Sequence, residues 1–105
     1  MYVIKTAIIG VLASAGFSLS VYAGDSDAET FYKETCIVCH GEGMHGAPKP
    51  GIKSDWEERL GYGIEDVYLN AIEGMGNAMP ARGMCTDCSD EQIESIVDFM
   101  VKDLK

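Results

Sequence analysis

The run Cys36-Ile37-Val38-Cys39-His40 constrains this chain more than any other feature. It sets two thiols three residues apart, with an imidazole directly after the second. Cys85 and Cys88 repeat the C-x-x-C spacing near the C-terminus. A length of 105 residues allows one domain. Four cysteines in so short a chain are bridged, metal-bound or modified.

The N-terminus bears on which of these it is. Met1 to Lys5 carry one positive charge, Thr6 to Gly24 carry none, and Ala7 to Leu19 are dominated by apolar side chains. Val21-Tyr22-Ala23 follows, with small residues where a signal peptidase reads. The pattern predicts a secretory signal peptide over residues 1–23, cleaved after Ala23. The rival expectation is an uncleaved anchor, since the uncharged stretch approaches the length a bilayer needs. Gly10, Ser14, Gly16, Ser18 and Ser20 make it weakly apolar for that task. Residues 24–105 then form the domain. They hold 7 basic and 17 acidic residues, a net charge of −10 against −9 for the full chain. Such a chain repels phosphate and is no nucleic-acid binder. A domain this small is near the lower limit for a self-sufficient apolar core, so a staple beyond packing is expected. Export would place its cysteines where disulfides persist.

The mature sequence reads as helices and loops. Ser26-x-x-Glu29 is a capping-box pattern, followed by Ala28, Phe31, Tyr32, Thr35, Cys36 and Cys39 at helical spacing, with Gly41 and Gly43 as stops. Residues 41–53 hold four Gly and two Pro and form a loop. Ser54-x-x-Glu57 signals a short helix with Trp56 and Leu60, broken by Gly61 and Gly63. Ile64, Val67, Tyr68, Ala71 and Ile72 share one face of a third helix that Gly74 ends. Residues 74–88 form a second long loop. Ser89-x-x-Gln92 opens the last helix, with Ile93, Ile96, Val97, Met100, Val101 and Leu104 at three- and four-residue steps. No long period-two run appears, so the domain is expected to be all-α.

C-x-x-C-H is the attachment signature of a c-type haem. Two thiols on one helical turn can reach the two vinyl groups along one side of a porphyrin, and His40 then lies under the iron. A thioredoxin-like redox pair would need a βαβ setting, which the sequence lacks. A zinc site from Cys36, Cys39, Cys85 and Cys88 would need far closer pairs. A second axial ligand would come from Met44, His45, Met75, Met79, Met84 or Met100. Met100 lies on the apolar face of the last helix and reads as core. Met44 and His45 follow His40 too closely to cross the ring. Met75, Met79 and Met84 lie in the 74–88 loop. Met79 precedes Pro80, which restricts it to an extended backbone and projects it from the loop, so Met79 is the expected ligand.

With Gly46-Ala47-Pro48-Lys49, Trp56, Arg59, Ala71-Ile72-Glu73-Gly74 and the run M-P-x-R-G-x-C-x-x-C-S-D from Met79 to Asp90, the chain resembles cytochrome c5, within the class I c-type cytochromes. The resemblance runs from about Ala28 to Met100. It implies four helices and loops packed around one covalently attached haem c, with His40 and Met79 as axial ligands. It also implies that the Pro48 carbonyl accepts the Nδ1–H of His40, which would fix the imidazole tautomer. Ala28 stands where many class I chains carry Gly between the first and last helices. Cys85 and Cys88 by spacing alone could be redox-active; the resemblance implies a structural disulfide, worth roughly 2 kcal/mol for so small a ring in the chain-entropy model. Trp56 is either core or an indole donor to a haem propionate, with Arg59 or Lys49 nearby.

The resemblance implies electron carriage outside the cytoplasm, so the chain is expected to be a periplasmic, monomeric carrier and not an enzyme, inserting in no membrane after cleavage. Its acidic charge predicts redox partners with basic docking surfaces. Two alternatives stand: a haem enzyme or sensor with an open distal site, and a haem-bearing subunit of a larger oxidoreductase anchored by its signal stretch.

Overall fold

The computed structural model describes residues 25–104. The expected signal peptide and its cleavage site lie outside the described residues. Helix α1 (Asp25–Phe31) continues through a π turn (Tyr32–Cys36) into α2 (Ile37–His40). A 3₁₀ turn (Met44–Gly46), α3 (Lys53–Gly61), α4 (Ile64–Glu73), a second 3₁₀ turn (Ala81–Met84) and α5 (Asp90–Val101) follow. No strand occurs among the described residues. The all-α reading and its four helical segments stand, with two differences of local geometry.

The first is the π turn. The Ile37 N–H bonds to the Tyr32 carbonyl, five residues back. Thr35 Oγ1 donates to the Phe31 carbonyl at 3.2 Å, a back-bond that bends helices. The turn has a packing consequence. Ala28, Tyr32, Cys36 and His40 are all buried at four-residue steps. An ordinary helix drifts about 40° per such step at 3.6 residues per turn. The wider π turn takes back part of that drift and keeps the four on one stripe.

The second concerns caps. The first helix already includes Ser26, and α3 is capped at Ile52 with no side-chain bond. Neither Ser26 nor Ser54 therefore opens its helix. Asp55, next to Ser54, accepts instead from the Lys49 N–H at 3.0 Å and closes the loop. The third pattern forms in full: Gln92 N–H donates to Ser89 Oγ at 3.1 Å, and Ser89 N–H donates to Gln92 Oε1 at 2.7 Å.

Helix α5 is the centre of the core. Ile93, Ile96, Val97, Met100 and Val101 are buried, and α5 packs against α1 and α4. Ala28 is 2% exposed, in keeping with a small residue on the helix that meets α5. Tyr32 and Phe99 place ring centroids 5.5 Å apart. Tyr68 donates to Asp98 at 2.5 Å and ties α4 to α5; burial, then this carboxylate, raise the phenol pKa and keep it a neutral donor. On α4, Val67 and Ala71 are buried while Ile64, Tyr68 and Ile72 are half-buried, the face expected from spacing.

Candidate functional site

The C-x-x-C-H residues sit where the stripe of the first helix ends. Cys36 is buried on the π turn, Cys39 half-buried on α2, and both thiols are free. Burial pushes the Cys36 thiol up in pKa, partly offset by a contact with Thr35 Oγ1 at 3.4 Å. His40, one residue on, is buried.

The ring of His40 has a fixed orientation. Its Nδ1 lies 2.7 Å from the Pro48 carbonyl. A carbonyl only accepts, so Nδ1 carries a proton, and in the neutral tautomer Nε2 is the nitrogen with the lone pair. Trp56 backs the same ring, with planes 10° apart and centroids 6.4 Å apart. The Trp56 indole N–H donates to the Lys49 carbonyl at 2.8 Å. That bond satisfies the indole of a side chain only 2% exposed, in keeping with the core reading of Trp56. Pro48 and Lys49 thus offer successive carbonyls to His40 and Trp56. Arg59 donates to the Asp55 carbonyl at 2.6 Å, within its own helix.

The methionines separate by burial. Met75 and Met84 are 48% and 74% exposed. Met44 and His45 are exposed, and Met100 is in the core. Met79 alone among the loop methionines is half-buried and packed against the core. Its backbone is held from two sides. The Met75 N–H donates to the Met79 carbonyl at 2.8 Å. Gly74, at φ 85° and ψ 170°, lets the chain approach so closely that a Cβ there would lie 2.8 Å from Ala81 N and 3.0 Å from Met79 O. On the far side, a Cβ on Gly83 would meet Cys36 Sγ at 3.6 Å and Met79 Cε at 3.9 Å. The Met79 methyl and the Cys36 sulfur therefore flank one glycine.

Cys85 and Cys88 are joined by a disulfide, with Cα atoms 5.4 Å apart. The bridge lies between the Ala81–Met84 turn and the Ser89 cap. Among the described residues, no three His, Cys, Asp or Glu side chains are grouped to hold a metal ion, so the four-cysteine zinc arrangement does not form. Sequence spacing did not reveal the structural parts of Gly74 and Gly83. Their signal was present only as glycines five before Met79 and four after it.

The donors present suit haem c. Two free thiols stand one turn apart, an imidazole is oriented by its Nδ1 bond, and a half-buried thioether lies beside Gly83 with the Cys36 sulfur. Iron accepts His and Met ligands together in cytochromes c.

The family described as "Cytochrome C oxidase, cbb3-type, subunit III" matches residues 23–100. A cytochrome c5 of Ectopseudomonas mendocina is 38% identical over 90 residues, covering 84% of this chain and 95% of the relative. A mono-haem ferrocytochrome c from Shewanella putrefaciens superimposes with a TM-score of 0.63 at 45% identity, over 71% of this chain and 91% of that one. A cytochrome c solved in an electron transfer complex with nitrite reductase gives a TM-score of 0.67 at 31% identity, over 74% and 94%. With sequence relatives and solved folds agreeing along nearly all of its helical domain, the chain belongs to the class I c-type cytochromes, small electron-transfer proteins that carry covalently attached haem c.

Proposed function

We propose that this protein is an exported carrier of single electrons and not an enzyme. Cys36 and Cys39 would hold one haem c through thioether bonds, and His40 Nε2 and Met79 Sδ would ligate its iron. The observation that carries this reading is the 2.7 Å contact of His40 Nδ1 with the Pro48 carbonyl, which orients the ring and supports Nε2 as the ligating nitrogen. The haem supplies the one-electron chemistry. The chain's own residues fix its surroundings. Pro48 and Trp56 keep the imidazole from rotating, Gly74 and Met75 keep the Met79 backbone in place, and the Cys85–Cys88 bridge stiffens the segment leading to α5. A fixed ligand pair changes little between oxidation states, so little has to rearrange on transfer.

Denaturing mass spectrometry of the purified protein tests the attachment. The expected mass is that of residues 24–105 plus one haem. Bare polypeptide, or polypeptide with zinc, contradicts the reading. The same spectrum reads the N-terminus. Cleavage after Ala23 supports export without a retained anchor. Among the described residues no helix is long and apolar enough to cross a membrane. The match to a family described as an oxidase subunit favours a second reading, a haem-bearing subunit of a larger oxidoreductase. An uncleaved N-terminus in the purified protein supports that one.

The partners proposed are redox proteins with basic docking surfaces. A formal charge of −9, before any propionate, steers basic surfaces toward this chain. Transient electron-transfer contacts are small, so steering governs the encounter. Stopped-flow transfer rates with such a partner should fall as salt rises toward physiological strength, where the screening length is about 8 Å. Rates that stay flat or rise with salt mean that docking is apolar.

A further inference from the structure

Three consecutive residues beyond Met79 hold left-handed backbone: Arg82 at φ 59°, Gly83 at φ 57° and Met84 at φ 69°. Two of them carry a Cβ, which disfavours this conformation, so the turn persists only where its surroundings over-determine it. Arg82 itself supplies much of that determination. Its Nη1 donates to the Cys88 carbonyl at 2.8 Å. Its Nη2 donates to the Asp90 carboxylate. One planar fork thus ties the turn both to the disulfide loop and to the first residue of α5. Lysine has no such fork and cannot hold both acceptors in one geometry.

The clamp acts next to the sulfur atoms. Gly83, adjacent to Arg82, is the position where a Cβ would lie 3.6 Å from Cys36 Sγ and 3.9 Å from Met79 Cε. The Gly83 N–H donates to the Pro80 carbonyl at 3.0 Å, and the Cys85 N–H to the Arg82 carbonyl at 2.9 Å. A shift of Arg82 is therefore passed through one residue to the backbone that borders the space beside the Met79 methyl and the Cys36 sulfur. We propose that Arg82 is a positioning residue for the axial methionine: its clamp on Cys88 and Asp90 fixes the 82–84 turn and keeps the Met79 thioether in place. The inference rests on the reading that Met79 is an axial ligand. Its effect is local. The Arg82 side chain is 32% exposed and its partner Asp90 55%, so the ion pair adds little to global stability. What it sets is how often Met79 leaves.

Imidazole binding to the ferric holoprotein reads that population. An external ligand enters only when Met79 is off, so its apparent affinity rises in proportion to the open fraction. Arg82→Ala is expected to bind imidazole about tenfold more tightly than the parent, the ratio that 1.4 kcal/mol of lost preference for the closed state gives. Arg82→Lys should fall between the two. Asp90→Asn, which spares the bond to the Cys88 carbonyl, should tighten binding by a smaller factor and carries the test if Arg82→Ala does not fold. Tyr68→Phe removes the bond from α4 to Asp98 while leaving Arg82 and both of its acceptors in place, and should leave imidazole affinity unchanged. The proposal is overturned if the Arg82 and Asp90 variants match the parent. It is also overturned if Tyr68→Phe tightens binding as much as they do at equal loss of stability, because Arg82 would then act through global stability alone. A parent protein lacking the ferric sulfur-to-iron band removes the Met79 reading and this proposal together. A parent with the band and unaltered Arg82 variants removes only this one.

Discussion

Replacing Met79 with Ala should abolish the near-infrared sulfur-to-iron band of the ferric protein, open one axial position to external ligands and lower the reduction potential. A thioether favours ferrous iron, so its loss stabilises the ferric state. A drop on the order of 0.1–0.3 V is expected, a fraction of the roughly 0.8 V that axial ligation spans across haem proteins. The same change at Met75 or Met84 should leave both band and potential near those of the parent, since these side chains point largely into solvent. Absorption spectra and potentiometry of the three variants decide the matter. A Met79→Ala protein indistinguishable from the parent means that the ligand is another residue.

Gly74→Ala should be the most damaging single methyl in the loop. The residue sits at φ 85° and ψ 170°, a region that is essentially glycine-only and costs another residue about 1–3 kcal/mol. The added Cβ would also fall 2.8 Å from Ala81 N and 3.0 Å from Met79 O. Both are backbone atoms. The Met79 oxygen cannot withdraw without breaking its 2.8 Å bond from the Met75 N–H. Overpacking of this kind costs about 1–3 kcal/mol more. Denaturant unfolding should therefore show a total loss of about 2–6 kcal/mol, together with a weakened sulfur-to-iron band. Gly76→Ala is the control. Gly76 has φ 60°, with nothing within 4 Å of a Cβ. It should lose only about 1–2 kcal/mol for the left-handed backbone and leave the band intact. Equal effects at the two positions contradict the crowding argument.

The parts of the molecule legible in the sequence were those with a period or a covalent logic. The apolar stripe of α5 and the face of α4 follow from three- and four-residue spacing, because each needs only one buried side. C-x-x-C-H names its chemistry by itself. Caps were less legible. Ser54 and Ser89 carry the same pattern, yet of the two only Ser89 forms the box. At α3 the neighbouring Asp55 has a longer-range acceptor role that no local rule anticipates. The π turn left no mark in the spacing, since it depends on a Thr35 back-bond and on the need to align four buried residues. The indole of Trp56 was readable as buried or as a donor, and the fold makes it both, with a backbone carbonyl as partner. The left-handed run at Arg82, Gly83 and Met84 was hidden for a similar reason: only one of the three is glycine, and Arg82 is held there by its bonds to Cys88 and Asp90.

The near-infrared and visible absorption of the purified protein, ferric and then ferrous, tests the central claim most directly. A weak ferric band from sulfur-to-iron charge transfer and a six-coordinate low-spin spectrum in both states are the predicted result. A ferric spectrum with no such band, or a ferrous protein that binds carbon monoxide at once, would contradict a haem held between His40 and Met79.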